Sequence, residues 1–193
     1  METLSILKDI GLRNNGDIYL GVVGPVRVGK STFIKRFMEV MVIPHITNED
    51  DKKRALDELP QSGLGKTIMT MEPKFVPANA VEINVEENLS VKVRLIDCVG
   101  YIIENSQGYL EDGKMRLVKT PWFSETIPFD EAAKIGTQKV IKEHSTLGIC
   151  IVSDGTITEF KREEYLSAEE QVIEELNSIE KPYVIAVSYT HLR

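Results

Sequence analysis

Ile18-Tyr19-Leu20-Gly21-Val22-Val23 runs directly into Gly24-Pro25-Val26-Arg27-Val28-Gly29-Lys30-Ser31, and from Thr32 an apolar-periodic segment continues to Met41. The first six residues have the composition of a buried strand. The next eight put glycines at both ends of a tight loop and close it with Lys-Ser, the spacing of a phosphate-binding loop. The chemistry requires that arrangement. Backbone N–H groups must turn inward around phosphate oxygens, and glycine permits those angles. The helix that follows points its positive dipole end at the anion. Lys30 adds a point charge between the outer phosphates, and Ser31 offers a hydroxyl to magnesium. Strand before and helix after are the context that separates a nucleotide loop from a chance glycine turn. Gly24, Pro25, Val26, Arg27, Val28, Gly29, Lys30, Ser31 and Thr32 are therefore the candidate nucleotide-binding segment.

Two further stretches fit the same chemistry. Asp97-Cys98-Val99-Gly100 ends an apolar strand. An aspartate there can hold the magnesium shell through water, and the N–H of Gly100 can bond the terminal phosphate. Thr67-Ile68-Met69-Thr70 lies between the two motifs, where a nucleotide switch places a threonine that caps magnesium and senses the terminal phosphate. Thr70 is the favoured sensor and Thr67 the alternate. Lys30, Thr70 and Asp97 are the candidate catalytic residues; Ser31, Thr70 and Asp97 are the candidate metal-side residues. Tyr101 stands where many GTPases carry a water-positioning glutamine. An aromatic ring cannot do that work, so turnover is expected to be slow or assisted from elsewhere. Gln107 is poorly placed to substitute, and Lys66 reads as a solvated lysine before it reads as a charge stabiliser.

The remainder alternates strand and helix. Residues 32–41 form a helix whose Phe33, Phe37 and Val40 share one face, with Pro44 as its stop. His45 to Lys66 reads as a long polar loop with one helical turn at 51–56. Residues 81–85 and 91–96 read as an antiparallel pair joined by a turn. An irregular stretch covers 100–128, with Trp122 as a local packing anchor. A helix is expected at 129–144, a buried strand at 147–152, an amphipathic helix at 162–179 and a strand at 183–187. This is an α/β fold with a mostly parallel sheet, one antiparallel strand and helices on both faces.

The 193 residues suit one domain, and 42% hydrophobic with 27% charged is an ordinary globular balance. A net charge of −7 argues against a basic nucleic-acid surface and against membrane attachment by charge alone. The two cysteines, Cys98 and Cys150, lie in or beside apolar runs and read as small buried hydrophobes of a reducing cytosol. His45, His144 and His191 show no ligand spacing and read as surface or capping residues. The first 13 residues do not have the pattern of a signal peptide.

Several blocks go beyond general phosphate-loop features. Gly16 to Gly24, Gly29 to Lys35, Asp57 to Ser62, Gly65 to Thr70, Glu72-Pro73-Lys74-Phe75-Val76-Pro77, Asp97 to Tyr101 and Lys142 to Thr146 resemble the N-terminal domain of the stage IV sporulation protein A family. The resemblance covers almost all of residues 1–187. It implies a P-loop NTPase of the translation-factor-like GTPase class that uses ATP and Mg2+. It implies that hydrolysis drives self-assembly into a polymer, the basement layer of the spore coat. It also implies partners: a small amphipathic membrane-anchoring peptide, other spore-coat morphogenetic proteins, and indirectly the forespore outer membrane surface. No nucleic acid is implied, and the place is the mother-cell cytoplasm at the forespore surface. Lys30, Asp97 and Thr70 carry over as loop lysine, magnesium-side acid and sensor; Met71 stands where a second threonine can occur. The family's middle and C-terminal domains have no counterpart here. Ser188 to Arg193 resembles a translated sequencing adaptor, so residues 188–193 are expected to be non-native and the sheet truncated at its C-terminal edge. The base-reading segment would then be absent, and the residues themselves do not choose between an ATPase and a regulatory GTPase switch.

Overall fold

Apolar runs that are buried on both sides fix the centre of this molecule. A computed structural model describes residues 17–60, 73–86, 89–103, 105–106, 108–111, 113–179 and 181–190. In chain order the principal elements are β1 (Asp17–Val23), α1 (Lys30–Phe37), α2 (Glu49–Asp57), β2 (Lys74–Glu86) and β3 (Leu89–Asp97). Four two-residue strands follow: β4 (Leu110–Glu111), β5 (Lys114–Met115), β6 (Leu117–Val118) and β7 (Ile127–Pro128). Then come α3 (Phe129–Lys139), β8 (Leu147–Ser153), α4 (Arg162–Ile179) and β9 (Tyr183–Ser188). The main sheet has the order β2-β3-β1-β8-β9. Strands β3, β1, β8 and β9 are parallel, and β2 pairs antiparallel to β3 at the edge. The mostly parallel α/β sheet read from the sequence is the one observed.

Successive strand side chains point to opposite faces. Val22 and Val23 are both fully buried, so both faces of β1 are covered. On one face the backbone of Gly21 lies under Ile141 and Ser145, and that of Gly148 under Leu176 and Ile141. The π turn that continues α3 over Val140–His144 and the last turn of α4 thus press on the sheet centre. Tyr165, Leu176, Ile34 and Met38 are completely enclosed in the same core. Each such side chain contributes about 1.5–3 kcal/mol of transfer free energy.

Three local readings change between Thr32 and Glu86. The face of α1 that enters the core is Ile34 and Met38, continued by Val42, while Val40 is 63% exposed. Val40 lies two residues past Met38, about 200° around the helix, so it faces away from the core, and a π turn over Met38–Val42 keeps Val42 in line with Met38. The single turn expected at 51–56 within the long polar loop is a nine-residue helix, α2. Asn48 caps it by accepting from Asp50 N (2.9 Å) and Asp51 N (3.0 Å). Glu49, Asp50 and Asp51 meet the positive end of its dipole. Strand β2 starts at Lys74, well before the expected residue 81, and carries a bulge between Val76 and Val81. Pro77 is tolerated there because β2 is an edge strand. The Glu58 carboxylate accepts Ala78 N–H at 2.6 Å and ties α2 to the bulge.

The stretch 100–128 is less irregular than expected. Two short antiparallel ribbons, β4–β5 and β6–β7, fold over the start of α3. Val118, Phe129, Ala132 and Ala133 form a second small core there. Trp122 packs against Gly136 of α3, as a local anchor should. His144 stacks edge-on against Phe75 (5.5 Å), and Cys98 and Cys150 are buried free thiols.

The capping account makes a simple prediction. Asn48→Ala should destabilise the protein by about 1 kcal/mol, lowering Tm by roughly 2–4 °C. Thermal unfolding followed by circular dichroism checks it, with Asn48→Asp as the variant that retains the cap.

Candidate nucleotide-binding site

In a parallel sheet the carboxyl ends of the strands gather along one rim, and ligands bind in the crevice there. Register decides what meets what at this rim. Val22 of β1 lies beside Asp97 of β3. The acidic residue therefore emerges two residues short of Gly24. Ser31, one residue into α1, donates its hydroxyl to Asp97 Oδ2 at 2.5 Å. Two of the three candidate metal-side groups, separated by 66 residues, are in direct contact.

Backbone bonds lock the two motifs together. Tyr101 N–H donates to Gly24 O (3.3 Å), and Val26 N–H donates to Tyr101 O (2.8 Å). Gly24 has φ +143, and a Cβ on it would overlap the Ile151 carbonyl of β8. Gly100 has φ +86, and a Cβ there would overlap the Gly24 carbonyl and come within 2.5 Å of Lys30 Nζ. Both glycines are required by close approach as well as by backbone angle. Pro25, Val26 and Val28 are buried, Thr32 is exposed, and Arg27 turns toward Glu159 and Phe160.

Two charges are buried in this cradle. Lys30 is 6% exposed and donates from Nζ to Pro25 O (2.5 Å) and Gly24 O (3.3 Å). Burial lowers its pKa below the ordinary lysine value. Asp97 is 8% exposed. Burial raises its carboxyl pKa, with the Ser31 hydroxyl and the Lys30 charge opposing that rise. Its Oδ1 is buried without a hydrogen-bond partner. A buried carboxylate oxygen left unpartnered beside a serine hydroxyl and an ammonium fits a divalent cation with a polyphosphate. Burial also pushes the neighbouring thiols up, Cys98 to about 11 and Cys150 to about 12, so both are neutral and inert.

Tyr101 is 4% exposed, and its ring lies in the core. Its side chain does not reach the phosphate side, in line with the missing glutamine. What the sequence did not disclose is its main chain, which stitches the two motifs. Lys66, Thr67, Thr70 and Gln107 lie outside the described residues. Among the described residues, the structure thus brings together Gly24, Pro25, Lys30, Ser31, Asp97 and Gly100.

Comparison with known proteins gives this rim a family. The model of the stage IV sporulation protein A ATPase domain matches residues 1–192. The chain belongs to that family. It is 57% identical over 188 residues to stage IV sporulation protein A of Bacillus anthracis, covering 97% of this chain and 38% of that protein. It is 56% identical to the protein of that name from Bacillus subtilis strain 168, with the same coverage. The Clostridioides difficile strain 630 protein is also 56% identical, over 184 residues. The chain spans a little over a third of the length of these relatives. It is an ATPase domain of the stage IV sporulation protein A kind. No helix among the described residues is long and apolar enough to cross a membrane.

The buried acid has a measurable consequence. A carboxyl whose folded pKa lies above its unfolded value adds relative stability at low pH. That contribution is lost as pH rises through the folded pKa. The raised value already includes the attraction of Lys30, so the ionised form is a net liability in the nucleotide-free fold. Asp97→Asn keeps an acceptor for Ser31 and removes the charge. At pH 8 it should stabilise the nucleotide-free protein by about 1 kcal/mol, roughly 2–4 °C in Tm. The advantage should shrink toward pH 4, as wild-type Asp97 takes up its proton. Melting curves of both proteins across that range test the sign.

Proposed function

We propose that this chain binds ATP at the rim formed by residues 24–32 and 97–100 and hydrolyses it. We propose further that hydrolysis drives self-assembly of the whole protein into the basement layer of the spore coat. The observation that carries the site is the Ser31–Asp97 contact with one Asp97 oxygen unpartnered, together with Lys30 Nζ held against Gly100 and Gly24. The names of the relatives support the sporulation role. The antiparallel edge strand β2 beside β3 supports the translation-factor-like GTPase class of P-loop folds.

In this reading Lys30 leaves the carbonyls of Gly24 and Pro25 for the outer phosphates. The Gly100 N–H donates to the terminal phosphate. Ser31, Asp97 through water, and Thr70 would hold magnesium, which supplies charge neutralisation on the phosphates. Lys30 and Asp97 are withdrawn from water, where fixed donors and charges stabilise a transition state far better than in bulk solvent. Because Tyr101 is enclosed, the group that positions the attacking water comes from another segment or from a neighbouring subunit. Intrinsic turnover is therefore slow. The partners are the protein itself, a small amphipathic membrane-anchoring peptide and other coat morphogenetic proteins. The place is the mother-cell side of the forespore surface.

The test is phosphate release from ATP and from GTP by the intact natural protein and by Lys30→Ala. ATP-selective turnover that falls roughly 100-fold or more in the variant is expected. The same variant should fail to assemble. GTP-selective, reversible partner binding would instead make it a regulatory switch, and tight binding without turnover would make the nucleotide a folding ligand.

A further inference from the structure

Arg27 stands apart within the phosphate loop. Pro25, Val26 and Val28 are buried apolar residues. Arg27 is a charged residue with φ +64, in the left-handed region that disfavours any side chain carrying a Cβ. Such a conformation persists only where the surroundings determine it. Its surroundings include a segment, residues 154–161, that follows β8. The guanidinium stacks over Phe160 at 5.7 Å from the ring centre and pairs with Glu159 at 3.9 Å.

That segment is itself held firmly. Asp154 accepts from Thr156 N–H (2.9 Å) and from its hydroxyl (2.7 Å). The Thr158 and Tyr165 hydroxyls share a hydrogen bond of 2.7 Å, and Phe160 packs edge-on against Tyr165 at 6.4 Å. Tyr165 is completely buried in α4. Buried Glu169 of α4 accepts Ser153 N–H at 3.0 Å and pairs with Arg162. These contacts tie residues 154–161 to β8 and α4 and set them against Arg27, which is half-buried where Pro25, Val26 and Val28 are buried.

We propose that Arg27 is a positioning residue for the phosphate site: its grip on Glu159 and Phe160 holds residue 27 left-handed, and so holds the loop in its anion-binding shape. Glycine would take that backbone angle unaided. With arginine the loop's shape depends on residues 154–161, so events at that segment and nucleotide affinity are thermodynamically linked. The proposal rests on the reading of residues 24–31 as the nucleotide site and names what shapes it.

The experiment measures ATP affinity and kcat at saturating ATP in the intact natural protein, with melting curves to confirm folding. Arg27→Ala keeps the Cβ and loses the grip, and should weaken affinity about tenfold. Its kcat should stay within roughly twofold, because a shape-holding residue acts on binding. Arg27→Gly removes the Cβ and should recover most of that loss. Glu159→Gln with Phe160→Leu touches no phosphate, yet should reproduce the loss in the Arg27 protein and add nothing in the Arg27→Gly background. The proposal is overturned if Arg27→Gly is as weak as Arg27→Ala, or if kcat falls with affinity intact. Lys30→Ala separates the two levels. A loss of affinity there with none in Arg27→Ala overturns the Arg27 proposal alone. No loss in either overturns the site reading as well.

Discussion

The parallel pairing of β1 with β3 is the constraint on which the site depends. Its register sets Asp97 beside Val22. The chain leaves β1 into the phosphate loop at the same level where it leaves β3 into Gly100 and Tyr101. Two backbone bonds between Tyr101 and the loop then fasten the exits together. A slip of one residue would turn Asp97 to the other face of the sheet, away from Ser31. Everything chemical at this rim follows from that alignment and from the core that enforces it, since Val22, Val23, Leu95 and Ile96 are all enclosed.

The rim is also where the fold works against itself electrostatically. Lys30 and Asp97 are withdrawn from water, and burial moves both pKa values toward the neutral forms. Lys30 is satisfied by loop carbonyls, Asp97 by Ser31 on one oxygen only. Neither arrangement is what a stability-seeking sequence would choose. Both make sense if phosphate and a cation complete the set, because a strained, incompletely satisfied constellation is what binding energy can act upon.

Much of this was legible in the residues, and the exceptions have physical causes. The helix at 162–179 and the strands at 147–152 and 183–187 follow from strong periodicity and unbroken apolar runs. The phosphate loop and Asp97 follow from glycine and charge placed at strand ends. Helix α2 was hidden because Ala55 is its one buried residue, so it has no apolar stripe; Asn48 and three following acids were the signal. Val40 was misplaced because the core takes the Ile34–Met38 face rather than the Phe33–Phe37 face, a choice made by tertiary packing between two apolar stripes. The start of β2 was masked by Pro73 and Pro77, which an edge strand accommodates. The main-chain role of Tyr101 and the left-handed backbone of Arg27 carry no residue-type signature, since both arise from tertiary contact.

The most direct test of the account is a crystal structure of the intact natural protein with magnesium and a non-hydrolysable ATP analogue. The account predicts that Lys30 Nζ exchanges Gly24 O and Pro25 O for phosphate oxygens. It also predicts that the Asp97 oxygen now without a partner gains one from the magnesium shell. Nucleotide bound elsewhere, or Lys30 still on the loop carbonyls with the phosphates in place, would contradict it.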